Sequence, residues 1–229
     1  MRGDQRFRLL RLARGAEKEL TIIGIPLILA VIAFIARPAL VTLILAVFLC
    51  ALFALLLYFF RDPERTPPRG KGLILAPADG RVMAVEHVQE ARFLGGEALK
   101  ISIFMSLFDV HVNRAPAEGQ VALVEHVPGQ FLPAYRPEAS EANEHNLLGL
   151  QGLYGRILVR QVAGIMARRI VCWAHPGQEL QAGERLGLIK FGSRVDLYLP
   201  PGAKPDVLVG DRTHAGVTRV ARWKGEETR

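Results

Sequence analysis

Three short segments carry the side chains that could do chemistry, and the first is Phe191–Arg194, Phe-Gly-Ser-Arg. It lies between two strand-like runs. Glycine allows backbone angles that expose its carbonyl to the next side chain, so the Ser193 hydroxyl could attack a strained Gly192 carbonyl and form an ester. That reaction needs a base beside the serine and donors for the carbonyl oxygen. The alternative is an ordinary turn between strands.

The second segment is SLFDVHVNRAP, residues 106–116. On a strand, Asp109, His111 and Asn113 would point to one face because side chains alternate. His111 could then transfer protons, since its pKa lies near neutrality. The alternative is a hydrogen-bonded face toward solvent. A metal site is not expected, because Asp109-x-His111 lacks a further His or Cys at ligand spacing.

The third segment is Ala-Pro-Ala-Asp-Gly, residues 76–80. Its composition is typical of a turn, but Asp79 could instead orient a histidine in a triad-like arrangement. The other histidines are weaker candidates. His145 falls in a polar stretch that we expect to be a loop, and the rest fall in strand-like runs or turns, namely His87, His126, His175 and His214.

Two apolar runs, residues 21–36 and 39–60, precede all three segments. As a helix the second run would be ~33 Å long and could cross a hydrocarbon core of ~30 Å, whereas the first, at ~24 Å, is marginal. A basic segment flanks the pair on each side, so the positive-inside rule places both ends in the cytoplasm. We expect a transmembrane helical hairpin. The alternative is that the first run lies in the interface or is buried.

Composition excludes several classes of protein. The chain has 229 residues, is 50% hydrophobic and has a net charge of +7, so it is not disordered through high charge. Residues 1–20, a basic cytoplasmic N-terminus, hold +3 of that charge, and the domain after the apolar runs is not basic enough to argue for nucleic acid. Two cysteines indicate no disulfide framework.

Short alternating runs separated by Gly, Pro and Asp follow a Pro-rich linker at residues 61–70. They predict a mainly β domain over residues 71–229. The segment from residue 175 onward resembles the barrel-sandwich architecture of biotinyl and lipoyl domains, with a weaker echo near residue 76, so we expect a barrel-sandwich-like fold that could be duplicated. No lysine lies in the setting of a swinging-arm carrier.

Four segments together resemble phosphatidylserine decarboxylase in its short form: FFRDPERTPP, APADGRV, FMSLFDVHVNRAP and FGSRVDLYLP. They follow the order and spacing of that family, and the resemblance covers most of residues 58–200. It implies that the proenzyme cleaves itself between Gly192 and Ser193. The products would be a β chain, residues 1–192, and an α chain, residues 193–229, which stay associated.

The resemblance also implies the chemistry. Ser193 becomes a pyruvoyl group, which forms a Schiff base with phosphatidylserine and accepts the electrons left when CO₂ departs, giving phosphatidylethanolamine. No metal or dissociable cofactor is implied. Asp79 corresponds to an orienting carboxylate and His111 to a proton-transfer group. Longer members have a second histidine, proposed as the cleavage base, at the position of Arg114, so here either His111 serves both steps or another group, such as His145, replaces it.

The expected setting is the inner cell membrane, with the catalytic domain facing the cytoplasm and membrane lipid as a partner. The sequence leaves the oligomeric state open, a homo-oligomer included. Two alternatives stay open for function. One is the same chemistry on archaetidylserine or another serine-headed lipid. The other is a non-catalytic, membrane-anchored barrel-sandwich adaptor, which predicts an uncut chain and long coiled-coil heptads, and the sequence has no such heptads.

Overall fold

The computed structural model describes residues 11–165, 169–190 and 192–223. Much of the basic N-terminus and Phe191 of the Gly-Ser segment therefore lie outside the described residues. The chain divides into two compact units, Met1–Glu64 and Arg65–Arg229.

The first unit contains two long apolar helices, α1 (Glu17–Ala36) and α2 (Leu40–Phe59). They separate at Arg37-Pro38, because the residue before a proline disfavours helical angles. Both are long and apolar enough to cross a membrane, and most of their large apolar side chains are exposed. Such a surface is stable in hydrocarbon rather than in water. The predicted pair of apolar helices is confirmed, and it can form a transmembrane hairpin.

The second unit is mainly β, as predicted, and its only described helix is a single turn, α3 (Ala139–Ala142). The strands, in chain order, are β1 (Leu73–Leu75), β2 (Gly80–Glu90), β3 (Gly96–Met105), β4 (Val112–Arg114), β5 (Gly119–Val127), β6 (His145–Gly152), β7 (Gly155–Val162), β8 (Ile170–Cys172), β9 (Glu179–Leu180), β10 (Arg185–Ile189), β11 (Ser193–Leu199), β12 (Lys204–Pro205), β13 (Arg212–Thr213) and β14 (Arg219–Arg222).

Eight of these strands form one curled sheet, like half a barrel, in the order β13-β2-β3-β11-β7-β6-β5-β9. Two small sheets, β1-β14-β12 and β4-β10-β8, accompany it. Alternation along β11 explains the layering. Val195 and Leu197 belong to the main apolar core, whereas Tyr198 belongs to a smaller cluster on the opposite face of the sheet.

Six strands of the curled sheet have an end at the same edge. Met105, at the end of β3, lies opposite Ser193, at the start of β11. Val162, at the end of β7, lies opposite both Arg194 and His145. β2 also begins here and β5 also ends here. We call this the Ser193 edge.

Two local predictions are wrong. Residues 109–113 do not form one continuous strand: a turn closed by the Asp109 N–H on the Ser106 carbonyl (3.1 Å) comes first, and β4 begins only at Val112. His145 is not in a loop, since it is the buried first residue of β6. The first difference comes from a local turn, whereas in the second the pairing of His145 with Val127 and Val162 overrides the local pattern.

Replacing Ile101 by Ala tests the core that supports this edge. Ile101 is fully buried in β3, between β2 and β11. The cavity should lower the free energy of unfolding by about 2–5 kcal/mol. Urea unfolding of the full chain in detergent, followed by tryptophan fluorescence, measures the shift. Leu153→Ala, in the exposed β6–β7 turn, should change little, and equal shifts in the two variants would contradict the assignment.

Candidate active site

The Gly192–Ser193 peptide lies at the first residue of a central strand. Ser193 is fully buried, and Gly192 has a φ of +52°, in the left-handed region that favours glycine. From this residue the chain enters β11 in register with both neighbouring strands. The bond therefore joins a left-handed glycine to a strand that is hydrogen-bonded on both sides.

The backbone of Gly164 packs against the Gly192 carbonyl oxygen. A Cβ on Gly164 would overlap that oxygen, and would also lie 3.3 Å from the Ala134 side chain. Gly164 belongs to the segment that follows β7, so the loop beyond one neighbouring strand closes over the carbonyl. Only glycine allows an approach this close.

The Ser193 hydroxyl faces the thioether of Met105, with an Oγ–Sδ distance of 3.4 Å. The Asn113 side-chain amide donates to the same sulfur at 3.6 Å. Gln161 donates to Asn113 Oδ1 at 2.7 Å, and Asn146 donates to Gln161 Oε1 at 3.1 Å. All of these side chains are buried. A chain of amides thus fixes the surroundings of Ser193 without placing a full charge there.

His111 is also fully buried, just before β4. Its Nδ1 lies 3.0 Å from the Asp109 carbonyl oxygen, which can only accept. The neutral ring therefore carries its proton on Nδ1 and its lone pair on Nε2. The His111 carbonyl accepts from the N–H of Ile189 at 3.4 Å, which brings this segment beside β10, a few residues before Gly192.

The turn before His111 is held by the Asp109 carboxylate. It accepts from the Ser106 N–H at 2.8 Å and the Ser106 hydroxyl at 2.7 Å, and it pairs with Arg212 at 3.0 Å. The Asp109 carboxylate thus holds the backbone that carries His111, whereas the Asp109 carbonyl holds the imidazole ring.

Asp79 lies at the turn into β2, and its two oxygens pair with the Arg65 guanidinium at 2.5 and 2.7 Å. It also accepts from the Ala215 N–H at 2.8 Å. The histidine brought to it is His214, whose Nδ1 lies 3.5 Å away. From the sequence alone His214 is a weaker candidate for a functional residue, because it occurs in a turn.

The chain is also similar in sequence to known proteins. Residues 52–221 match the family model described as Phosphatidylserine decarboxylase. Proteins named phosphatidylserine decarboxylase proenzyme from Symbiobacterium thermophilum and Carboxydothermus hydrogenoformans are each 48% identical to the chain, over 87% and 82% of it and 93% and 88% of their own lengths. One from Pelobacter propionicus is 51% identical over 75% of the chain and 80% of its own length. The chain belongs to the phosphatidylserine decarboxylase family.

Arg114, the residue that departs from the longer decarboxylases, makes hydrogen bonds that hold neighbouring turns together. Its N–H donates to the Pro77 carbonyl at 2.9 Å, and its guanidinium donates to the Gly183 carbonyl at 3.0 Å. Its Cδ also packs so close to Gly216 that a Cβ on that glycine would collide with it. A guanidinium stays protonated, so it joins these turns and does not accept protons.

His145 lies on the other face of the sheet from Ser193. It is opposite Val162, which is opposite Arg194, and directly paired residues share a face. Its Nδ1 bonds to the Asn143 carbonyl at 2.7 Å, and burial lowers the pKa of its ring below the usual value. This decarboxylase therefore does not present His145 to the Ser193 hydroxyl.

Arg194 directly follows the Gly192–Ser193 bond, and buried polar groups hold its side chain. Its Nε bonds to Asp196 Oδ1 at 2.6 Å, and its Nη2 donates to the Ser102 hydroxyl at 2.9 Å. Ser140 of α3 donates to the other oxygen of Asp196 at 2.6 Å. The whole set is buried. This fixed ion pair holds the start of β11 on the face opposite the Ser193 hydroxyl.

Sequence reasoning missed several residues of this site: Arg65, Met105, Asn146, Gln161, Gly164 and Asp196. Gly164 left no signal, because a lone glycine after a strand usually marks a turn. Asp196 did leave a signal, since Arg194 and Asp196 are charged residues inside an otherwise apolar run, a pattern that predicts pairing on one face of the strand. Among the described residues no group of three or more His, Cys, Asp or Glu could hold a metal ion.

Gly164→Ala tests the contact with the scissile carbonyl. The added methyl group must displace the Gly192 carbonyl or the loop, and a shift of about 1 Å costs on the order of 100-fold in rate. We expect the self-cleavage that the family resemblance implies to slow by about that factor, measured by gel analysis over time. Gly96→Ala is the matched control, because a Cβ there meets nothing within 4 Å. Equal cleavage rates would show that the contact has no role.

Proposed function

We propose that this chain is a proenzyme that cleaves itself between Gly192 and Ser193 and then decarboxylates phosphatidylserine to phosphatidylethanolamine. One observation carries the proposal beyond family membership: Gly192 is left-handed, its carbonyl lies against the backbone of Gly164, and the next residue is a fully buried serine. An ordinary surface turn needs neither the burial nor the close packing.

Cleavage proceeds by attack of the Ser193 Oγ on the Gly192 carbonyl carbon. The O–C bond forms, the peptide C–N bond breaks, and the hydroxyl proton moves to the new amine. Removal of the Ser193 Cα proton then expels the Gly192 carboxylate and leaves dehydroalanine. Tautomerisation and hydrolysis consume one water and release ammonia, which leaves a ketone, the pyruvoyl group, at residue 193.

His111 is the proton-transfer group in this proposal. Its neutral tautomer, set by the Asp109 carbonyl, leaves the lone pair on Nε2. Arg114 cannot replace a base, and His145 lies on the other face of the sheet. This supports the reading in which His111 serves both maturation and decarboxylation.

The surroundings of Ser193 fit a small keto group. The site is buried, Gly164 provides backbone instead of a side chain, and the Met105 thioether and Asn113 amide are uncharged neighbours. A pyruvoyl group there supplies an electron sink when CO₂ leaves the substrate. The chain's own residues exclude water, hold the start of β11 and move the proton.

The two products would stay together for a simple reason. The α chain, residues 193–229, begins with β11, which is hydrogen-bonded to β3 on one side and to β7 on the other. β14, near its end, pairs with β1 of the β chain. Cutting one peptide bond removes none of these ladders.

Asp79 and Arg194 are positioning residues in this proposal. The Asp79 carboxylate contacts Arg65, His214 and the Ala215 amide, and so holds these groups together where β2 begins. Arg194 is held by Asp196 and keeps residue 193 in register after the cut.

We further propose that the two apolar helices hold the protein in the inner cell membrane, with the β unit in the cytoplasm. Basic residues on both sides of the helix pair support this orientation. Assays with phosphatidylserine and archaetidylserine in parallel distinguish the two serine-headed substrates.

Ser193→Ala removes the nucleophile and should leave one uncut chain. Intact-mass analysis of wild type should find fragments ending at Gly192 and beginning with a pyruvoyl-blocked residue 193. Ser102→Ala removes a buried hydroxyl that contacts Arg194 on the opposite face but leaves the nucleophile in place, so this variant should still cleave, at a lower rate. An active wild-type preparation that contains only the whole chain would refute self-processing.

His111→Gln keeps a polar side chain but removes the titrating group. Because general acid–base groups contribute about 100- to 10,000-fold, cleavage or decarboxylation should fall by that order. His126→Gln, an exposed histidine of β5, is the control and should leave both rates unchanged. If His111→Gln matures and turns over normally, the role assigned to His111 is wrong.

A further inference from the structure

Five exposed apolar side chains lie in loops close to the buried Gly192–Ser193 bond. They occupy three loops at the Ser193 edge, and we call them the apolar collar: Leu107, Phe108, Phe131, Tyr135 and Ile165. Phe108 is 66% exposed and Ile165 is 56% exposed. Exposed apolar side chains that cluster in neighbouring loops mark a surface that something covers.

Sheet register brings the three loops together. Leu107 and Phe108 follow Met105, the partner of Ser193. Ile165 follows Gly164, which packs on the Gly192 carbonyl.

The third loop follows β5 and reaches the same place. The Tyr135 ring meets the Phe104 ring edge-on, with centroids 6.5 Å apart. Ala134 lies against Gly164, and the Arg136 carbonyl accepts from Arg194 at 3.3 Å. All three loops therefore border the same bond.

Exposed charges of both signs lie near the collar. Exposed arginines occur in or beside these loops at Arg81, Arg136, Arg169 and Arg212, and Arg212 pairs with Asp109. Exposed acids lie there as well, at Glu138, Glu141 and Asp211. Apolar tips beside a mixed polar rim suit the headgroup–acyl boundary of a bilayer.

The path of the chain also favours a bilayer. Arg65, the first residue of the second unit, is fixed to Asp79 at the turn into β2, which begins at this edge. The chain thus enters the β unit at the edge that carries the collar, and it does so shortly after the second apolar helix ends in the sequence.

We propose that the apolar collar inserts into the headgroup–acyl boundary of the bilayer, so that a lipid can pass from the membrane to the buried site under cover of protein. The delivery of substrate rests on the proposed function, whereas the insertion does not. A second copy of this chain is the other possible occupant of the collar, and the experiment distinguishes it.

The test places a fluorophore in the collar of the full chain. Phe108→Trp and Ile165→Trp are compared with Leu153→Trp, whose side chain is 82% exposed in the β6–β7 turn at the opposite end of the sheet. Each protein is reconstituted in phosphatidylcholine–phosphatidylglycerol vesicles, with bromine on the acyl chains of the phosphatidylcholine as quencher. Trp173 and Trp223 give a background that the parent protein measures.

Both collar tryptophans should lose about half of their added fluorescence to brominated lipid, and Trp introduced at position 153 should lose almost none. Equal quenching at all three positions, or none in the collar, would overturn the proposal. Collar fluorescence that is not quenched by brominated lipid but changes with the protein-to-lipid ratio would show that a second copy of the chain covers the collar. That result would also overturn the proposal. Quenching can be measured whether or not the chain cleaves. A failure of the proposed chemistry is therefore distinguishable from a failure of membrane insertion.

Discussion

The pairing of β11 between β3 and β7 is the constraint on which the rest of this molecule depends. It fixes Ser193 opposite Met105 and Arg194 opposite Val162, and so sets which strand ends meet at the Ser193 edge. Given that register, the left-handed Gly192 and the bare backbone of Gly164 bring a second loop onto the peptide carbonyl. A one-residue slip would exchange the faces of Ser193 and Arg194.

The two faces of β11 have opposite electrostatic character. Ser193 faces a core of apolar groups and amides, where an uncharged hydroxyl is easily accommodated. Arg194 and Asp196 face the other way and satisfy each other, with help from Ser102 and Ser140. Buried charge requires a partner. Strand alternation therefore lets one short segment present a reactive group on one side and an ionic anchor on the other.

Cleavage at such a position would be compatible with a stable fold. A new chain end there would lie at the edge of the sheet, while the strand behind it is hydrogen-bonded on both sides. Ser193 is buried between two neighbouring strands, and the Gly164 loop packs on the carbonyl before it. That loop also carries Ile165, so the surroundings of the bond and the exposed apolar surface are parts of one structure.

The sequence by itself determined the apolar helix pair, the mainly β class and the three segments with Asp79, His111 and Ser193, because these depend on local periodicity and on residue types in a fixed order. It also assigned the chain to its family through four motifs in order. Only the tertiary structure decided that Asp79 pairs with Arg65 and His214, that His145 lies on the far face, and that Gly164 contacts the Gly192 carbonyl. Those contacts join residues far apart in the chain, and strand register, which no local pattern encodes, sets them.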